Sequence, residues 1–183
     1  ELSGCGVGFK LIHAYSRIHG IPFSAISHYL DLVAVSIASD IVPITGENRV
    51  MAYFGLKQLN DSPRTGLREL IRESEVCKAL TIEDIVFKIG PRINAAGRME
   101  TGSKAVELLI SSDARLATGI SKEINNFNIE RRTVDRIITT EAMRMISEDQ
   151  RTVNSRTTVL YNPTWKKGVI GIVASRLIET YYT

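Results

Sequence analysis

Apolar residues recur along most of this chain at steps of three and four, and a largely helical layout follows from that rhythm alone. Phe9, Ile12, Tyr15 and Ile18 in GVGFKLIHAYSRIHG predict a first helix, with Gly20 placed as a left-handed cap. Ile26, Leu30, Val33 and Ile37 predict a second buried helix that ends at Asp40, shortly before Pro43. ITGEN reads as a turn, while RVMAYFGLKQLN, GLRELIRES and SKAVELLIS read as short helices. TIED supplies Thr81 as an N-cap with Asp84 at the third helical position. The longest periodic stretch runs from about Ala114 to Glu148. It places Ala117, Ile120, Ile124, Phe127, Val134, Ile138 and Met145 on a heptad-like seam, with Arg131 and Glu141 at seam positions in between. RTTVLYNP, rich in Thr and Val and closed by Asn162-Pro163, predicts a strand, and GVIGIVASRLIETYY then runs from glycines into a helix. The expected fold class is α/β with most of the chain helical.

Against that regular background FKIGPRINAAGRM, Phe87 to Met99, stands out: its glycines and proline predict a turn, yet it carries Arg92, Asn94 and Arg98. In a broken stretch the two guanidiniums can converge on one anion, since arginine offers a planar fork suited to phosphate. Equally, either arginine can pair with Asp84 or Glu100 while Asn94 caps a turn. Asp40, an acid after a long apolar run, is either a metal or catalytic carboxylate at the rim of the core or a helix end facing water. GVIGIVAS resembles a phosphate loop but lacks the Lys-Ser/Thr of a P-loop and the third glycine of a dinucleotide fingerprint.

Composition narrows the function classes. With 44% hydrophobic residues the chain has enough apolar material for a core, and a net charge of +3 permits a polyanionic partner without demanding one. No apolar run is long enough to span a bilayer, so the expected setting is cytoplasmic. Cys5 and Cys77 follow no metal or disulfide spacing and are expected to be buried thiols. His13, His19 and His28 are expected in surface or packing roles, and Arg131, Arg132, Asp135 and Arg136 as a solvated helix face. Glu1 is no initiator, and IETYYT looks like the middle of a helix, so the chain reads as a fragment.

Four motifs taken together carry more than any one of them. LSGCGVGFKL, YLDLVAVSIASDIVPITGENR, FKIGPRINAAGRM and GVIGIVASRL, in this order and at these separations, resemble the RecJ-type single-strand-specific exonucleases of the DHH phosphoesterase family. The resemblance implies the end of a DHH domain in residues 1–60, a helical connector with the long helix in 61–150, and the start of a DHH-associated domain in 151–183. It implies that Asp40 is the family's late metal-binding aspartate, serving Mn²⁺ or Mg²⁺ in the parent enzyme. By the same resemblance Arg92, Asn94 and Arg98 match the GPRxNAxGR signature beside single-stranded DNA. Where the family usually shows Trp-His, this chain has Trp165-Lys166, which leaves Lys166 and Lys167 as candidate phosphate contacts. The implied activity is 5′-to-3′ hydrolysis of single-stranded DNA in recombination and repair. The chain lacks an Asp-His-His triplet, so the competing expectation is a non-catalytic nucleic-acid-binding or scaffolding segment that binds no metal by itself and associates with itself through exposed apolar surface.

Overall fold

The computed structural model describes residues 1–40, 42–149 and 155–181. Helix α1 (Gly4–Ile18) begins where Ser3 accepts the Gly6 N–H at 3.2 Å. It closes with the Ile21 N–H on the Ser16 carbonyl across Gly20, which holds φ 67° as its cap position predicts. Two 3₁₀ turns, Phe23–Ala25 and Ser27–Tyr29, lead into α2 (Leu30–Ser39). Then follow α3 (Gly46–Asp61), so that ITGEN supplies a helix start rather than a free turn, and α4 (Thr65–Glu73).

The Gly-Pro stretch is helical. A single turn α5 (Ile82–Asp84), fixed by the capping box between Thr81 and Asp84, passes into a π-helical segment, Ile85–Ile89, and on into α6 (Gly90–Met99). The expected turn is absent for a physical reason. Pro91 has no N–H and its ring collides with the carbonyl of residue i−4 in a regular α-helix. Here the preceding turn is widened, with the Gly90 N–H bonded back to the Ile85 carbonyl, and Pro91 then occupies the first turn of α6, where its missing donor costs nothing. Short α7 (Ser103–Ile110) precedes α8 (Ala114–Glu148), which Asp113 caps by accepting the N–H groups of Arg115 and Leu116 at 2.7 and 3.2 Å. The last element is α9 (Lys167–Tyr181).

Among the described residues there is no strand, so the structure is mostly helical and the α/β expectation is not met there. The segment expected as a strand is extended chain in which Val159 and Tyr161 face solvent. Strand formation requires a ladder partner, and no ladder is formed among the described residues. Residues 151–154 of the expected third domain lie outside the described residues.

Packing forms three clusters. The largest joins α2, α3, α4, the π-segment, α6 and α7 to the first half of α8, through Ala34, Leu67, Leu70, Ile89, Leu108 and Ile124 among others. A second holds Phe9, Ile26, Leu30, Val33, Ile37 and Met51. In the third, Ile138 and Ala142 of α8 meet Val169 and Val173 of α9. On α1 only Phe9 of the predicted stripe is buried, while Ile12, Tyr15 and Ile18 are exposed. The cysteines also depart from expectation: both are exposed, with Cys5 on the outer side of the first turn of α1 and Cys77 in the loop after α4. The histidines do pack, His13 against Phe23 at 5.4 Å and His19 against Tyr15 at 4.1 Å between ring centres.

One ion pair ties three of these elements together. Arg64, ahead of α4, donates to both oxygens of Asp31 at 2.7 Å, and also to the carbonyls of His28 and Leu109. Asp31 is fully buried. Arg64→Ala would strand that carboxylate without a cation, so it should lower unfolding free energy by about 3–5 kcal/mol, measured by urea denaturation; a loss below about 1 kcal/mol would show that water replaces the guanidinium.

Candidate nucleic-acid and metal site

Asp40 caps the C-terminal end of α2, exposed, with its carboxylate accepting the Ser36 hydroxyl at 3.0 Å. A helix C-terminus already carries partial negative charge, so a carboxylate there gains nothing from the helix and reinforces an attraction for cations. Among the described residues, however, no group of three or more Asp, Glu, His or Cys side chains is gathered in metal-binding geometry. Asp40 is therefore not part of any such group among the described residues.

Helix α6 begins against that same end of α2. A Cβ on Gly90 would come within 2.6 Å of the Ser39 hydroxyl oxygen, so the glycine permits the two helix ends to touch. At its other end α6 meets α9 in the same manner: a Cβ on Gly168 would run into the Arg98 carbonyl. The Arg98 guanidinium also donates to the Gly168 carbonyl at 3.0 Å. Lys166 and Lys167 flank this junction; Lys166 pairs with Glu130 at 2.9 Å and Lys167 is exposed on the first turn of α9. Asn94 is exposed one turn before Arg98, on the same face of α6.

Arg92 points elsewhere. On a continuous helix, six residues separate it from Arg98 by about 9 Å along the axis and roughly 120° around it. Its guanidinium donates to Asn125 Oδ1 of α8 at 3.0 Å, to the Lys88 carbonyl of the π-segment at 2.8 Å and to the Glu73 carbonyl at the end of α4 at 3.4 Å. Neither Asp84 nor Glu100 is its partner: Asp84 is paired with Lys88 at 2.8 Å. Burial, then the neighbouring Arg132, pushes the Arg92 pKa down, with Glu75 and Glu73 opposing.

Two features here escape pattern reading. Arg131 and Asp135 are not on a solvated face: Asp135 is 2% exposed and paired with Arg176 of α9 at 2.9 Å, and Arg131 is half-buried beside Asn128. The signal was the seam of α8 itself, whose three- and four-residue steps pass through Asn128, Arg131 and Asp135 between Ile124 and Ile138. The second feature is Glu141, which accepts the Trp165 indole N–H at 2.8 Å and the Asn162 amide at 2.7 Å. Those two donors, the indole first, hold its carboxyl below the ordinary range.

Comparison with known proteins now bears on this geometry. No family model matches the chain. The single-stranded-DNA-specific exonuclease RecJ of Bacillus subtilis is 38% identical over 184 residues, covering 100% of this chain and 22% of that protein. A crystal structure of exonuclease RecJ bound to manganese superposes with TM-score 0.87 at 32% identity, covering 98% of this chain and 44% of that one. The Mg²⁺ complex of RecJ from Thermus thermophilus gives TM-score 0.83 at 31% identity, covering 97% of this chain and 27% of its own. The chain belongs to the RecJ family. It spans under half the length of these relatives, and the two solved structures are complexes with Mn²⁺ and with Mg²⁺.

Two measurements check this description. Glu141 has its pKa depressed on folding, so the stability it adds is present above its ordinary value of 4.5 and is lost as pH falls through the lower folded value. Trp165 is the single tryptophan, so its fluorescence should shift in an acid step below about pH 4.5. Glu141→Gln should abolish that step, and an identical step in the variant would assign it to another group. For Arg92→Ala, the loss of the donor shared by acceptors on three elements should cost about 2–4 kcal/mol in thermal or urea unfolding, and full retention of stability would show that its protein partners are dispensable.

Proposed function

We propose that this RecJ-family chain is part of a metal-dependent 5′-to-3′ exonuclease of single-stranded DNA, active in recombination and repair in the cytoplasm. Its role is to supply one metal carboxylate and a set of strand contacts. The observation that carries the reading is the placement of α6, which abuts Asp40 at one end through Gly90 and the basic start of α9 at the other through Gly168. About 15 Å of helix separates these ends, so a strand lying along it passes from the metal carboxylate toward Arg98, Lys166 and Lys167.

Residues 1–60 are proposed as the end of a DHH domain, 61–150 as the connector and 151–183 as the start of a DHH-associated domain. Asp40 is one ligand to Mn²⁺ or Mg²⁺; when bound, a metal pair supplies an activated water and steadies the leaving oxygen in phosphodiester hydrolysis. Of this chain's own residues, Ser36 orients the carboxylate, Arg98 and Lys167 offset phosphate charge, Lys166 does so by exchanging Glu130 for a phosphate, and Asn94 adds a neutral donor that helps set the strand's register. Arg92 supports that face by holding α6 against α4 and α8, and its unused N–H groups are available to a phosphate.

A second reading has one observation in its favour: with a single carboxylate and no gathered donor set among the described residues, the isolated chain acts as a strand-binding segment without hydrolysis. Incubated with Mn²⁺ and a 5′-labelled single strand, this chain should release no mononucleotide above background. A longer chain covering the full length of its relatives should cleave, and Asp40→Ala there should lower kcat at least about a hundredfold. Metal-dependent cleavage by the 183-residue chain would overturn the assignment of one ligand, and undiminished cleavage by the Asp40 variant would remove Asp40 from the site. The exposed apolar residues of α1 and α3, among them Leu11, Ile18, Tyr53 and Phe54, should also make the isolated chain self-associate as concentration rises. Light scattering from a strict monomer at high concentration would refute this.

A further inference from the structure

Midway along α8 the buried seam stops being apolar. Asn128 and Asp135 are almost fully enclosed there, and Arg131 sits between them, one turn from each. The Arg131 guanidinium donates through Nη2 to Asn128 Oδ1 at 3.1 Å, yet its Nε is buried and has no acceptor among the described residues. A buried donor left unpaired is costly, a cost that a bound acceptor would relieve.

The surroundings indicate the sign of that group. Arg98 of α6, Arg132 of α8 and Arg176 of α9 all lie close enough to Arg131 to oppose its charge, and only Asp135 favours it. Arg176 already engages Asp135 at 2.9 Å, and Asp135 also accepts from Thr139 Oγ1 at 3.4 Å, so this carboxylate is shared. Nearby Lys166 and Glu130 neutralise each other. Guanidiniums from three helices thus act on Arg131, with Asp135 its one favourable carboxylate, itself held by Arg176. Burial lowers the Arg131 pKa before any neighbour acts, so an anion would relieve both the desolvation and the repulsion.

Arg98, Arg132 and Arg176 are exposed and Arg131 lies beneath them, so the site is open along one side rather than closed over a small molecule. We propose that Arg98, Arg131, Arg132 and Arg176 clamp one backbone phosphate of a single DNA strand at the junction of α6, α8 and α9. This rests on the strand-binding part of the function proposed above and extends it to the connector helix. Guanidinium forks from different helices converging on one phosphate fix its position, and hence the register of the strand, without reading a base.

The test is fluorescence anisotropy of a labelled oligo-dT with the 183-residue chain, in the absence of metal, over a range of salt concentrations. Arg131→Gln and Arg132→Gln should each weaken binding about fivefold to tenfold and reduce the slope of log K against log salt by about 0.7, the value for one phosphate on a single strand. Because both act on the same phosphate, the double variant should lose about 0.7 and not twice that. Asp135→Asn should tighten binding, whereas a purely structural cluster would only lose stability. Arg132 is exposed, so Arg132→Gln keeps the test valid if the Arg131 variant fails to fold. An unchanged slope in the Arg132 and double variants overturns the clamp, and so does a doubled loss. If the unaltered chain binds and only Lys166 and Lys167 substitutions change its slope, the strand-binding reading stands and the clamp falls. If it binds no oligo-dT at low salt, both fall.

Discussion

Two contacts too close for any side chain govern the arrangement of this molecule. Gly90 lets the start of α6 press on the end of α2, and Gly168 lets the start of α9 press on the end of α6. At Gly168 the neighbour is the Arg98 backbone itself, and at Gly90 it is the Ser39 side chain, so neither position leaves room for a Cβ. Asp40 and the basic start of α9 are therefore spaced by one rigid ten-residue helix. The widened turn ahead of Pro91 belongs to the same device: it accommodates the proline in a continuous helical run leading into α6.

Charge is handled in two contrasting ways inside this fold. Asp31 and Arg64 are matched, bidentate and supplemented by backbone carbonyls, the arrangement that compensates burial of an ion pair. The group around Arg131 is unmatched, with guanidiniums outnumbering carboxylates and one donor without an acceptor. The matched pair lies where α2, α4 and α7 join and serves packing. The unmatched group lies on the side where α6 and α9 converge. Three of its four guanidiniums face water, so this surplus is screened rather than neutralised, and it leaves a positive field open to an anion.

What could be read from the chain beforehand divides along physical lines. The span of α8, the cap at Gly20, the capping box at Thr81 and Asp84, and the buried stripe of Ile26, Leu30, Val33 and Ile37 all follow from local rules, and the structure has them. The errors involve information that no window contains. Gly-Pro in Phe87–Met99 reads as a break, because whether a helix widens around a proline depends on packing on both sides of it. Ile12, Tyr15 and Ile18 mark α1 as a helix, which it is, yet periodicity states that a face is apolar and not that it is covered within this chain. RTTVLYNP has strand composition, but a strand exists only with its partner. At the candidate site, Asp40, Arg98, Lys166 and Lys167 stand out as residues. The direction in which Arg92 turns, and the pairing of Asp135 with α9, require the third dimension.

Helix α8 adds a mechanical consequence. Its 35 residues contain no proline and extend about 50 Å, with one half sewn into the main core and the other carrying α9. A rod of this kind works as a lever: a tilt of about 5° where α4 and α6 grip it displaces its far end by roughly 4 Å, by the helix rise alone. The grip on the near half is thus the fulcrum, and a small change in side-chain volume at Ile120 or Ile124 would be magnified at α9 many residues away.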